Sequence, residues 1–269
     1  MSDADWMKYK RLRGRDLPAK VQLSIGEYGL EKLFKHDFYA ATALYRRTRG
    51  SGPEQIVFKE YHTDPWGWLP LGWLGRSLLR RETRFLQALN GVDGVPKFLE
   101  YGGNNGFARE YAAGKNLREH FEGGGVGAPP EFFPNLQKIL ASIHALGIAH
   151  NDLAKPENIL IATNGAPVVI DFQIATMPRH WPLGLGWFAR PLLRVLQSFD
   201  DYHVCKQYRR YAPDTVPEEI RQRGKRSGGL ASFHYHVIRR PYRAVRHFFL
   251  RRFLTVNPQT EASERRRAA

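Results

Sequence analysis

Three side chains of a kind suited to phosphate chemistry fall within one short stretch of this chain: Asp152, Asn158 and Asp171. Asn158 and Asp171 offer hard oxygen donors suited to Mg2+, a cation that keeps several of its waters and bridges phosphates. Lys155 adds a positive charge beside them. His150, just before Asp152, is expected to brace its loop rather than to ligate a metal. Chemistry of this sort rests on positioning and charge neutralisation more than on covalent steps.

Several elements must position these groups. An apolar stripe of Phe132, Phe133, Leu136, Ile139, Leu140, Ile143 and Leu146 predicts a helix that stops at Gly147. A polar loop follows from His150 to Asn158. The apolar runs Ile159–Ala162 and Pro167–Ile170 flank an Asn164-Gly165 turn and predict a β-hairpin whose second strand ends on Asp171. Upstream, Phe38–Arg46 and Gln55–Tyr61 read as strands separated by R-T-R-G-S-G-P, and Lys59 lies in the second of them. A helix is predicted to begin near Gly72, with Leu78, Leu79, Phe85, Leu86 and Leu89 at helical spacing and Glu82 on the same face. A carboxylate on a core-facing stripe needs a partner, because an unpaired buried charge is heavily penalised. Lys59 is the natural one. A further strand is expected at Val95–Tyr101, and residues 1–30 read as a loose basic extension with limited secondary structure.

Composition sets outer bounds. The 269 residues, 42% of them hydrophobic, can build one large domain or two lobes with substantial cores. The net charge of +15 is concentrated late: from Lys206 onward, sixteen Lys/Arg face five Asp/Glu, a balance of +11. Such a field favours a polyanionic partner, with an anionic membrane surface ahead of nucleic acid. Two aromatic segments, Trp66–Arg80 and Trp181–Arg194, join Trp to Arg as interfacial segments do, and Pro241–Leu254 interleaves Arg with Phe and Leu. Trp66, Trp68, Trp73, Trp181 and Trp187 are the residues expected to meet a bilayer. Cys205 is the single cysteine, which excludes an internal disulfide and fits a reducing compartment. The start M-S-D-A-D-W-M-K-Y-K has no apolar signal core, and no uninterrupted apolar window suits a membrane span. The expected location is cytoplasmic, peripheral on the cytoplasmic face of the inner membrane.

In this order, His150-Asn151-Asp152…Asn158 and Asp171-Phe172-Gln173, with Lys59 and Glu82 upstream, resemble the catalytic core of the protein-kinase-like superfamily. The strings H-N-D-L-A-K-P-E-N and I-D-F-Q-I-A look like those of bacterial lipopolysaccharide-core (heptose/Kdo) kinases and RIO-like atypical serine/threonine kinases, over roughly Lys35 to Pro217. The resemblance implies an α+β, two-lobed kinase-like fold with a reduced C-terminal lobe. Its expected divisions are the 1–30 extension, a nucleotide-binding lobe at 31–111, a catalytic lobe at 112–230 and a basic aromatic tail at 231–269. It implies ATP and Mg2+. Lys59, held by Glu82, would contact the α- and β-phosphates, and backbone groups near Glu110 and Ala112 would bind adenine. Asp152 would accept or orient the attacking hydroxyl proton, Lys155 would reach the transferring phosphate, and Asn158 and Asp171 would hold the metal. The acceptor would be a sugar hydroxyl of a membrane-associated glycolipid in the first group. In the second it would be a protein hydroxyl, with a nucleotide-binding scaffold lacking transfer as a third reading.

Four departures from the family pattern stand out. Asn151 replaces the arginine of H-R-D, so control through that arginine by a phosphorylated loop is not expected. Asn158 follows Asp152 by one residue more than in H-R-D-L-x-x-x-N. Gln173 replaces the glycine of D-F-G and reduces backbone freedom there. Phe38-Tyr39-Ala40-Ala41-Thr42 stands where G-x-G-x-x-G would lie.

Overall fold

The computed structural model describes residues 17–36, 39–65, 70–124, 127–177 and 186–221, the side chains of 186–189 excepted. The protein is mixed α+β. Six antiparallel strands form the first sheet: β1 (Lys20–Leu23), β2 (Gly26–His36), β3 (Ala40–Gly50), β4 (Gln55–Tyr61), β5 (Phe98–Gly102) and β6 (Gly106–Glu110). Their order across the sheet is β1-β2-β3-β4-β6-β5. The sheet curls until its ends meet. The Ser24 amide donates to both carboxylate oxygens of Glu100 at 3.0 and 2.9 Å, and the Ser24 hydroxyl donates at 2.7 Å. One apolar cluster fills the curl, with Tyr28, Tyr45, Ile56, Phe58 and Ala108 buried against Val21 and Leu23.

The other face of β4 carries Lys59 and Tyr61 against α1 (Gly72–Ala88). Helix α1 comes unusually close to the backbone just after β4. A Cβ at Gly75 would lie 2.4 Å from the His62 carbonyl oxygen, so only glycine allows this approach. That approach lowers Glu82 toward Lys59.

Beyond β6 the chain runs through β7 (Gly114–Asn116), α2 (Leu117–Glu122) and α3 (Phe132–Ala145) to the hairpin of β8 (Ile159–Ala162) and β9 (Pro167–Val169). These three strands form a second sheet in the order β7-β8-β9. The hairpin follows from its turn: Gly165 sits at φ 82°, and the Asn164 carboxamide oxygen accepts the Ala166 amide at 3.0 Å. Helix α4 (Gly186–Tyr211) packs on α3, with Phe133 stacked on Tyr208 at 4.4 Å between ring centroids. The large core cluster unites Phe85, Leu86 and Phe107 with Leu136, Leu140, Ile143, Ile159, Val169, Phe172 and Val204.

Three expectations need correction. Residues 1–30 are not all a loose extension, because β1 and the start of β2 lie within them. Val21, Leu23 and Tyr28 are buried there, and the polar residues between them hide so short an alternation. The strand expected at Phe38–Arg46 begins at Ala40 and continues to Gly50, because β2 is long enough to pair with its arginine-rich end. The expected strand at Val95–Tyr101 appears as Phe98–Gly102. The tail from residue 231 lies outside the described residues.

Candidate active site

The loop after α3 is held from below by α4. Asp200 is fully buried, and its carboxylate accepts the His150 amide at 2.6 Å and the Asn151 amide at 2.8 Å. Gln197 donates to the carbonyls of His144 and Ile148, and Gln207 to those of Leu153 and Ala154. The spacing of 197, 200 and 207 puts all three on one side of a helix. They satisfy buried backbone groups that the loop itself leaves open.

His150 braces this loop from inside. Its Nδ1 accepts the Asp152 amide at 3.2 Å, so the ring proton sits on Nε2, which donates to the Ile170 carbonyl at 3.0 Å. Its ring packs on Phe172 with centroids 4.7 Å apart. Thus one imidazole ties the start of the loop to the end of the hairpin. Asn151 takes a left-handed backbone, φ 65°, and its carboxamide donates to the Ile174 carbonyl at 3.1 Å and the Thr176 hydroxyl at 2.9 Å. Asp171 also lies at positive φ, 68°. No other non-glycine residue among those described does so. Such strained backbones concentrate where function over-determines geometry, and Asn and Asp tolerate them best.

The Asp152 carboxylate accepts Lys155 Nζ at 2.6 Å and the Asn158 carboxamide nitrogen at 3.0 Å. Asn158 also donates to the Asp152 carbonyl at 3.1 Å, so its amide plane is fixed. The Asn158 carbonyl in turn accepts the Ile170 amide at 3.0 Å, which brings Asn158 beside the hairpin end that carries Asp171.

A second cluster arrives from the first sheet. Lys59 Nζ lies 2.7 Å from Glu82 Oε2 and 3.5 Å from Asp171 Oδ1. The Tyr61 hydroxyl donates to the same Glu82 oxygen. Burial alone would drive the Lys59 ammonium toward its neutral form, but Glu82, Tyr61 and Asp171 outweigh it and hold the group well above the ordinary lysine value. Burial likewise works against the Asp171 carboxylate, yet the charges of Lys59, Lys35 and Lys155 keep it well below the usual carboxylate range. Arg81 of α1 donates to the Ala175 carbonyl at 2.8 Å and fastens the helix to the segment after Asp171.

All of Lys59, Glu82, Asp152, Lys155, Asn158 and Asp171 therefore belong to two connected clusters. Glu110 ends β6, where its carboxylate accepts the Lys97 amide at 3.2 Å. Ala112 lies two residues further on, and its backbone makes no hydrogen bond among the described residues. Of the tryptophans expected at a bilayer, Trp73 is 62% exposed. Trp66, Trp68 and Trp181 lie outside the described residues, as does the side chain of Trp187. Sequence reasoning missed Asp200, Gln197, Gln207 and Tyr61. Tyr61 had a usable signal, since it lies two residues from Lys59 and so on the same strand face.

A metal ion needs several converging donor atoms. Among the described residues, no group of three or more His, Cys, Asp and Glu side chains is arranged to hold one. Two oxygens nevertheless fit the modest protein share that Mg2+ takes when phosphates and water complete its shell. The Asn158 amide oxygen and the second Asp171 carboxylate oxygen accept no hydrogen bond among the described residues.

The lysine–glutamate contact is testable by a double-mutant cycle. Lys59→Met and Glu82→Gln should each destabilise the fold by several kcal/mol, because each strands a buried charge. The double variant should recover part of that loss, with a coupling of about 0.5–3 kcal/mol. Additive losses in urea unfolding would show that the pair does not act as one unit.

No protein-family model matches the chain, and no curated protein shows significant similarity to it. Among the described residues, no helix is long and apolar enough to cross a membrane.

Proposed function

We propose that this protein is a phosphotransferase with a two-lobed kinase-like fold and a reduced C-terminal lobe. It moves the terminal phosphoryl group of a nucleoside triphosphate, ATP being the reference case, to a hydroxyl of a membrane-associated glycolipid such as a lipopolysaccharide core sugar. The observation that carries this reading is the convergence of Lys59, Glu82 and Asp171, from positions far apart in sequence, beside the Asp152–Lys155–Asn158 cluster.

Each role follows from the contacts. Glu82 and Tyr61 fix the Lys59 ammonium so that it meets the α- and β-phosphates without rearrangement. Asn158 and Asp171 are the residues that would hold Mg2+. There it would supply positive charge to offset the charge that develops on the transferring phosphoryl group. Asp152 orients the acceptor hydroxyl and takes its proton. Lys155, 60% exposed, is free to turn from Asp152 to the transferring phosphate.

The acceptor class rests on the Arg- and Trp-rich segments and the basic C-terminal sequence. With γ-labelled nucleotide and Mg2+, label should pass to purified membrane glycolipid and not to a protein mixture. Binding to anionic vesicles should weaken with salt, yet leave a remainder from Trp insertion that salt does not remove. Replacing Trp66, Trp68, Trp73, Trp181 and Trp187 by Ser should abolish that remainder and spare transfer to a soluble acceptor fragment. Label on protein, with no vesicle binding, would replace this acceptor by the protein hydroxyl of a RIO-like kinase.

A further inference from the structure

Arg109 is a cation that the proposed chemistry leaves unused. It pairs with Val57 across the β4–β6 ladder, while Lys59 pairs with Phe107. Directly opposed residues share a face, and so do residues two apart, which puts Arg109 on the Lys59 side of the sheet. Its side chain is partly buried, and among the described residues the guanidinium makes a single hydrogen bond, from Nη1 to the Glu110 carbonyl at 3.3 Å. Five N–H donors on one group can serve far more. No carboxylate among the described residues forms an ion pair with it. The nearest in sequence, Glu110, is already engaged by Lys97. Burial lowers the Arg109 pKa, and Glu82 and Asp171 act against that from a distance.

The position of this group matters because of what the Glu110 carbonyl is there to do. If the segment Glu110–Ala112 binds a purine through its backbone, that carbonyl is the acceptor available for an exocyclic amine. Arg109 already donates to it and sets a positively charged donor beside it. An amino group arriving there meets a cationic donor, whereas a base carbonyl meets a partly buried guanidinium with N–H groups to spare.

We propose that Arg109 reads the six-position of the purine and makes this site prefer a 6-oxopurine nucleotide, such as a guanosine triphosphate, over an adenosine one. This rests on the phosphotransferase reading and names its donor nucleotide more closely. Arginine is well suited to such recognition, since its fork can span the O6 and N7 acceptors of guanine together.

The test is equilibrium binding of GTP, ITP and ATP to the full chain in Mg2+, measured by calorimetry without any acceptor. ITP differs from ATP in the purine only in carrying the 6-oxo group, with its N1 proton, where adenine carries the amine. It therefore tests the six-position without any substitution in the protein. GTP and ITP should each bind about five- to a hundredfold more tightly than ATP. Arg109→Met, with its far-ultraviolet circular dichroism unchanged, should bring the three affinities within a factor of about two. Equal affinities in the wild-type protein, a preference for GTP that ITP does not share, or a preference that survives Arg109→Met would each overturn the proposal. If folded wild-type protein binds none of the three, the phosphotransferase reading itself fails and this inference fails with it.

Discussion

Asp152→Ala should lower phosphoryl transfer by about 10²–10⁴-fold, the usual worth of a positioned general base, while nucleotide affinity stays within a factor of about two. The asymmetry is the informative part. Asp152 faces Lys155 and Asn158, whereas Lys59 and Asp171 form the contact assigned to phosphate and metal. Because Asp152 also anchors the Asn158 amide, Asp152→Asn is the sharper variant. It keeps an oxygen for those contacts while removing the negative charge, and with it the capacity to take a proton. Single-turnover transfer and nucleotide binding should be measured on both. Turnover at the wild-type rate, or nucleotide binding lost in step with transfer, would take the base role away from this residue.

The second large effect is expected at Asp200, which touches no substrate in the mechanism above. Asp200→Ala leaves the His150 and Asn151 amides without their acceptor, in a place where the carboxylate was fully buried. Each stranded donor costs about 1–3 kcal/mol, so the loss should be on the order of 3–5 kcal/mol. That is a large part of the 5–15 kcal/mol typical of a folded domain. In urea unfolding the midpoint should fall sharply at nearly constant slope. Asp200→Asn retains one acceptor oxygen and should lose less. A change below about 1 kcal/mol for the alanine variant would show that the loop supports itself.

These two residues also mark how much of the site was legible in the sequence. Asp152 was visible because its neighbours His150, Lys155 and Asn158 form a local pattern, read within a few positions. Glu82 was visible because a carboxylate on an apolar stripe demands a partner, and Lys59 stood in a strand that the helix could reach. The hairpin before Asp171 was legible from Asn164-Gly165, whose turn chemistry is local. Asp200 gave no comparable sign. Its two shortest contacts are with backbone amides some fifty residues earlier, and a backbone group has no letter of its own in the sequence. Strand β1 was missed for a different reason. Its four residues offer two buried positions, and that alternation is too short to stand out among basic neighbours. Arg109 lies between the two cases: its face on β6 follows from alternation, but its bond to a carbonyl does not.

The clasp between Ser24 and Glu100 bears on how the margins of the first sheet are exposed. Strands β1 and β5 are the two margins of the first sheet, and an exposed margin of unpaired amides and carbonyls is a template on which another chain can add a strand. Here the turn after β1 is pinned to β5 by three hydrogen bonds, across a gap of 76 residues in sequence. One margin therefore crowds the other at that end, and a neighbour's strand has little room to lie flat along either. The closure of the two margins at that end rests on a single side chain, Glu100, which accepts all three hydrogen bonds.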